Sequence, residues 1–210
     1  PKLLRLAIDS VLTQTLLDIQ LIIVDDNNPD TEERKKTEEL VTSILKSDSR
    51  MIYIKHENNK NGAVARNTGL TKATGKYIAL LDNDDEYMPE RLEKCYKLME
   101  KAPERVGGVY TGCEFRKRGK TYHVEQTVKA GNFIIDTLAT SFMFCTGSNL
   151  FLRKSVVDEL NGFDESFLRH QDYEFLVRFF EKYSMAAISE VLVIKNDENL
   201  NIPSVEKLID

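Results

Sequence analysis

The chain has 210 residues, 41% of them apolar and 30% charged, with a formal net charge of −5. That length buries roughly 70% of the unfolded surface, enough to hold a core without disulfides or metals, and the composition excludes a disordered tail, a collagen-like rod and a polytopic membrane protein. The negative balance argues against nucleic acid as a partner, and apolar runs such as Leu21–Val24 fall far short of the roughly 20 residues a membrane helix needs.

The chain starts abruptly. Pro1 is followed at once by a helical pattern over 2–15, with Leu3, Leu6, Ala7, Ser10 and Val11 on one face. No methionine, leader or strand precedes it, which suggests a trimmed chain whose N-terminal segment is missing. Residues 19–24 form a short apolar run expected to be a buried parallel strand. Asn27 to Asp30 make a turn, with Asp30 as N-cap of a helix over about 31–46. Met51–Lys55 alternates as a strand, residues 63–74 form a helix ended by Gly75, and 76–81 form a second buried strand. Pro89 opens a helix over about 89–101.

Helix and strand alternate throughout this half, which implies an α/β fold with a mostly parallel sheet flanked by helices. The second half differs. Val109–Phe115 and Thr121–Val128 suggest a hairpin around Arg116-Lys117-Arg118-Gly119-Lys120, a basic cluster expected to be a solvated tip. Helices follow near 132–139, 154–160 and 171–183, then a strand at about 186–194. One domain over 1–210 is the simplest division, with a first half to about 105 and a mixed second half.

Cys95, Cys113 and Cys145 are odd in number and lack CxxC spacing, and His56, His123 and His170 share no ligand spacing. A disulfide framework and a Cys/His metal site are therefore disfavoured, and a reducing compartment fits best.

Parallel sheets place ligand sites at the carboxyl ends of their strands. Acids stand at two such ends, Asp25-Asp26 after LIIV and Asp82-Asn83-Asp84-Asp85-Glu86 after YIALL. In extended chain, Asp82 and Asp84 face one spot. These acids have no basic sequence neighbour until Arg91, so a divalent cation such as Mg²⁺ or Mn²⁺ is their natural partner. A solvated turn, or Asp85 and Glu86 capping the next helix, is the structural alternative. Asp25 or Asp26 either caps a helix or accepts hydrogen bonds from a nucleobase or ribose. Arg66, within Asn61–Gly69, either reaches a phosphate or base or pairs with a nearby acid.

SVLTQT (Ser10–Thr15), LIIVDDNNPD (Leu21–Asp30), NGAVARNTGL (Asn61–Leu70), GKYIALLDNDD (Gly75–Asp85) and NGFDESFLRHQDYEFLVR (Asn161–Arg178) stand in this order. Together they resemble family 2 glycosyltransferases of the GT-A fold, the type that builds bacterial surface polysaccharides. The likeness covers roughly residues 3–194. It implies that the first half binds nucleotide and that the half from about 106 to 210 binds acceptor. Asp26 would hold the nucleobase with Asp25 beside it, and Arg66 and Asn83 would contact the nucleotide. Asp82 and Asp84 would form the DxD element, with Asp84 as chief ligand to Mn²⁺ or Mg²⁺, and Asp172 would be the general base. The resemblance also implies a strand and a Tyr-Asn loop before Pro1. Without them, open sheet edges favour association with a second copy.

The implied reaction is inverting, metal-dependent transfer of a sugar from a nucleotide-diphosphate donor, a UDP-sugar above all. The acceptor would be a saccharide or lipid-linked hydroxyl. The place implied is the cytoplasm, with peripheral association at the inner face of the membrane. Sugar-phosphate nucleotidyl transfer is the rival enzymatic reading, and a receiver-like signalling module is a non-enzymatic one. Against the latter stands the long second half with its Gln171–Glu174 segment. Asp172 opens an apolar-periodic helix, where the dipole favours an acid. Glu174, two residues on, points about 200° away.

Overall fold

The structure, a computed structural model, describes residues 2–126, 128–139, 141 and 147–197. The 121–128 strand and Cys145 therefore fall partly or wholly outside the described residues.

Helix α1 (Lys2–Leu12) buries Ala7, Ile8 and Val11, while Leu6 remains exposed. The buried face is thus turned slightly from the one expected. It serves two cores. Ile8 packs with Val41, Ile44 and Met51, and Val11 packs with Tyr87, Leu92, Cys95 and Met99. Strands β1 (Leu21–Asp25) and β2 (Met51–Lys55) pair in parallel, from Leu21 opposite Met51 to Asp25 opposite Lys55. Between them runs α2 (Glu32–Leu45). Its N-cap is Thr31 and not Asp30: the Thr31 hydroxyl accepts the Arg34 amide at 3.3 Å, a role that serine and threonine fill as well as aspartate. Helix α3 (Gly62–Lys72) lies on β1, with Gly69 facing Val24 and Ile22.

Strand β3 (Tyr77–Ala79) is shorter than the expected 76–81 and does not join β1. It begins a second, six-stranded sheet in the order β3-β7-β5-β8-β4. The members are β4 (Glu86–Tyr87), β5 (Val106–Lys117), β7 (Phe151–Arg153) and β8 (Ser184–Asn196), with β6 (Lys120–Glu125) paired to β5. The parallel pairs are β1 with β2 and β5 with β8; the other pairings are antiparallel. The α/β class stands, but the strand directions are more mixed than helix–strand alternation implies. The reason is β7, a three-residue strand too short to show a period, which enters antiparallel between β3 and β5.

The basic cluster is a hairpin tip, as expected. Arg118 and Gly119 both take positive φ, at 51° and 72°, as a two-residue hairpin turn requires. Helix α4 (Arg91–Met99) starts two residues after Pro89. Short helices α5 (Ile134–Leu138) and α6 (Lys154–Glu159) precede α7 (Gln171–Lys182). Phe175, Leu176, Phe179 and Phe180 on α7 are at most 1% exposed and fill the largest cluster, with Leu150, Leu152, Phe163 and Met185. This apolar face fixes the rotation of α7, and with it the direction of the acids in its first turn.

Candidate active site

Three loop clusters meet around the candidate site: the ends of β1 and β2, the acidic turn after β3, and the head of α7.

At the first, Asp25 is buried. Its Oδ2 accepts the Tyr53 hydroxyl at 2.6 Å and lies 3.4 Å from Arg34 Nε, and its Oδ1 accepts Asn27 N at 3.0 Å and Asn27 Nδ2 at 2.7 Å. The side chain has no exposed surface. Asp25 therefore braces the loop, and of the two acids expected beside the nucleotide it is the enclosed one. Burial, reinforced by the Asp25 carboxylate, pushes the Tyr53 hydroxyl pKa upward.

Asp26 is partly open, with 17% of its side chain exposed. Its Oδ1 receives His56 Nδ1 at 2.6 Å and Lys60 N at 3.0 Å, and its Oδ2 receives Asn59 Nδ2 at 3.0 Å. Asn59 N also donates to Asn28 Oδ1 at 2.9 Å. The loops after β1 and β2 are thus tied into one platform with Asp26 on it. Neither acid caps α2, since Thr31 does.

The acidic segment is a turn, closed by Asp85 N donating to Asp82 O at 3.2 Å. The extended-chain argument for aiming Asp82 and Asp84 together does not hold, because the strand ends at Ala79. The missing counter-charge is also supplied, from elements distant in sequence. Arg66 Nη2 pairs with Asp82 Oδ1 at 3.1 Å, and Lys195 Nζ lies 3.4 Å from Asp85 Oδ2. Asn196 Nδ2 donates to Asp84 O at 2.8 Å and to Glu86 Oε1 at 3.1 Å. Asp85 is buried, accepting Ser148 Oγ at 2.6 Å and Asn196 N at 2.9 Å. Burial lifts its carboxyl to about 6, against the pull of Lys195 and Ser148. It anchors the turn, while Asp82, with 37% of its side chain exposed, faces outward. Asn83 lines a cavity of about 570 Å³ together with Asn27, Glu86, Arg116 and Asn196, so the first two clusters border one space.

Arg66 joins the second cluster to the third. Its Nη1 donates to Gln171 Oε1 at 3.2 Å while Nη2 holds Asp82. Both earlier readings of Arg66 concern one group, since the ion pair is present and lies beside the acidic turn. Gly147, at φ +86°, brings its backbone against the pair; a Cβ there would lie 3.4 Å from Asp82 Oδ2. Asn67 pins the 162–165 loop: it donates to Phe163 O at 2.8 Å and to Glu165 Oε1 at 2.9 Å, and accepts Phe163 N at 2.9 Å.

Asp172 lies in the first turn of α7, half-buried, with its Oδ1 accepting Tyr173 N at 3.1 Å. Glu174 turns the other way, to Arg178. His170, just before the helix, has φ +57°, a strained setting for a non-glycine residue of the kind found at functional sites.

Among the described residues, no three His, Cys, Asp or Glu side chains gather to hold a metal ion. A cation at this turn would have Asp82 and Asp84 for protein ligands and would need further oxygens from a bound phosphate, the usual arrangement for Mg²⁺. His56, Gln171, Ser148, Lys195 and Asn196 were not singled out from the sequence. Gln171 alone had a local signal, its place beside Asp172.

The Glycosyl transferase family 2 profile matches residues 1–160. An uncharacterized glycosyltransferase of Methanocaldococcus jannaschii is 30% identical, covering 94% of this chain and 68% of its own length. The amylovoran biosynthesis glycosyltransferase AmsB of Erwinia amylovora is 30% identical over 81% of this chain and 57% of its own length. The GalNAc(5)-diNAcBac-PP-undecaprenol beta-1,3-glucosyltransferase of Campylobacter jejuni is 35% identical over 76% and 52%, respectively. The chain thus spans about half to two thirds of the length of these relatives. Staphylococcus aureus TarS, in its complexes with UDP and with UDP-GlcNAc, superimposes with a TM-score of 0.72 at 14% identity. The overlap covers 93% and 94% of this chain and 56% of the TarS 1–349 fragment in those structures, which shows a shared GT-A fold. No helix among the described residues is long and apolar enough to cross a membrane.

Proposed function

The chain belongs to glycosyl transferase family 2, and on that footing we propose that it transfers a sugar from a UDP-sugar, with inversion, to a hydroxyl of a saccharide or lipid-linked acceptor. The observation that carries this reading is Arg66, which holds Asp82 of the acidic turn at 3.1 Å and Gln171, next to Asp172, at 3.2 Å. This contact sets the acidic turn beside the head of α7, the helix that carries Asp172.

In this reading Asp26 and the loops around it take the nucleoside, Asn83 lines the path between, and Arg66 takes part of the diphosphate charge. A Mn²⁺ or Mg²⁺ ion held by Asp82 and Asp84 would neutralise the departing diphosphate. Asp172 accepts the proton of the attacking acceptor hydroxyl. Attack from the face opposite the leaving group inverts the anomeric centre. A lipid-linked acceptor would bring the protein to the inner face of the cytoplasmic membrane.

The test is a panel of nucleotide sugars with Mn²⁺, Mg²⁺ or chelator, reading released nucleoside diphosphate. Metal-dependent release of UDP from one UDP-sugar supports the proposal. Pyrophosphate formed from a sugar phosphate and a nucleoside triphosphate would favour nucleotidyl transfer instead.

A further inference from the structure

His56 has no place in the roles above, yet both of its ring nitrogens are engaged at the first cluster. It lies just past β2 and is 7% exposed. Nδ1 is 2.6 Å from Asp26 Oδ1, and Nε2 is 2.9 Å from Thr68 Oγ1 on α3. Its backbone is fixed as well, with His56 N donating to Asp25 O at 3.0 Å and His56 O accepting Arg34 Nη2 at 2.8 Å.

A carboxylate only accepts, so Nδ1 carries a proton toward Asp26, and in the neutral ring Nε2 takes the Thr68 hydroxyl proton. Asp26 thus sets the tautomer, Thr68 steadies the ring from the other side, and His56 in turn fixes the carboxylate. Lys60 N and Asn59 Nδ2 complete the hold, leaving the remaining acceptor capacity of Asp26 aimed in one direction. A buried, ordered ring behind a partly open carboxylate is the arrangement that orients an acceptor before its ligand arrives.

We infer that His56 is a positioning residue for the donor: oriented by Thr68, it fixes the Asp26 carboxylate for hydrogen bonding to the nucleoside half. This inference rests on the donor reading given above. Because His56 acts through Asp26, its removal weakens binding of the nucleoside and leaves the diphosphate end alone.

The experiment is calorimetry of UDP and of inorganic pyrophosphate, each with Mn²⁺, on the full chain and three variants. His56→Asn keeps a donor near the Nδ1 position, His56→Gln moves it to the Nε2 position, and His56→Phe removes it. Loss of one charge-assisted hydrogen bond predicts about a tenfold or greater loss of UDP affinity for the Gln and Phe variants. Pyrophosphate affinity should be unchanged in both, and His56→Asn should retain most of the UDP affinity. UDP binding by His56→Gln at the wild-type level would overturn the inference. So would equal losses for UDP and pyrophosphate, or an Asn variant as weak as Phe, since either marks a structural role. A wild-type chain that binds pyrophosphate but not UDP overturns the donor reading itself, and this inference with it.

Discussion

Arg178 holds the carboxylate of Glu174 with two nitrogens, Nη2 meeting Oε2 at 2.6 Å and Nε meeting Oε1. The same guanidinium donates to Leu160 O and, at 3.0 Å, to Gly162 O. Glu174 is thus a brace for the loop before α7, and the proposed proton acceptor at the helix head is Asp172. Glu174→Gln should lower stability by about 1–2 kcal/mol and leave transfer near the wild-type rate. Denaturant midpoints together with initial rates check this; lost transfer in a folded Glu174→Gln protein would assign the base to Glu174.

Arg66 spans Asp82 and Gln171 because its two terminal nitrogens are held apart in one plane. A lysine ammonium cannot hold both in that geometry. Arg66→Lys should weaken UDP binding by about tenfold, the usual cost of a charge-assisted contact, with little effect on melting temperature. Titration of UDP against both proteins is the check, and equal affinities would show that Arg66 is merely a structural ion pair.

Gly162 has φ +67°, and a Cβ there would lie 2.5 Å from Asn67 Oδ1. Gly162→Ala combines a left-handed alanine, costing about 1–2 kcal/mol, with displacement of the Asn67 contact to Phe163 N. The protein should melt well below wild type, and an unchanged melting temperature would mean that the 162–165 loop is not held as described.

Asp84→Asn removes a charged oxygen from the acidic turn while keeping its shape. A direct metal ligand should cost at least the roughly 10–100-fold that outer-shell partners cost. Calorimetry with UDP and Mn²⁺ should show that loss; undiminished metal-dependent binding would remove Asp84 from the metal site.

The local elements were legible because their signals are local. The α7 face follows helical spacing through Phe175, Leu176, Phe179 and Phe180, and β1 and β2 are compact apolar runs. What escaped was set by distant chain. Asp85 is satisfied by Ser148, Lys195 and Asn196, each more than 60 residues away, so the acidic turn looked uncompensated when read by neighbours. Strand β7 has three residues and no period, and without it the second sheet could not be seen to be mixed. His56 showed no metal-ligand spacing, and its true partners, Asp26 and Thr68, lie on two other elements. In the site, the two acids after β1 look alike in sequence, yet Arg34, Tyr53 and Asn27 enclose Asp25 while Asp26 stays partly open.

In the proposed reaction, donor binding and proton removal come from different halves of the chain, which Arg66 ties together. Asp172→Asn separates them most directly, with UDP affinity and sugar transfer measured on the same preparation. The account predicts UDP binding within experimental error of wild type and transfer reduced by about 10²-fold or more. Transfer by Asp172→Asn at the wild-type rate would contradict it.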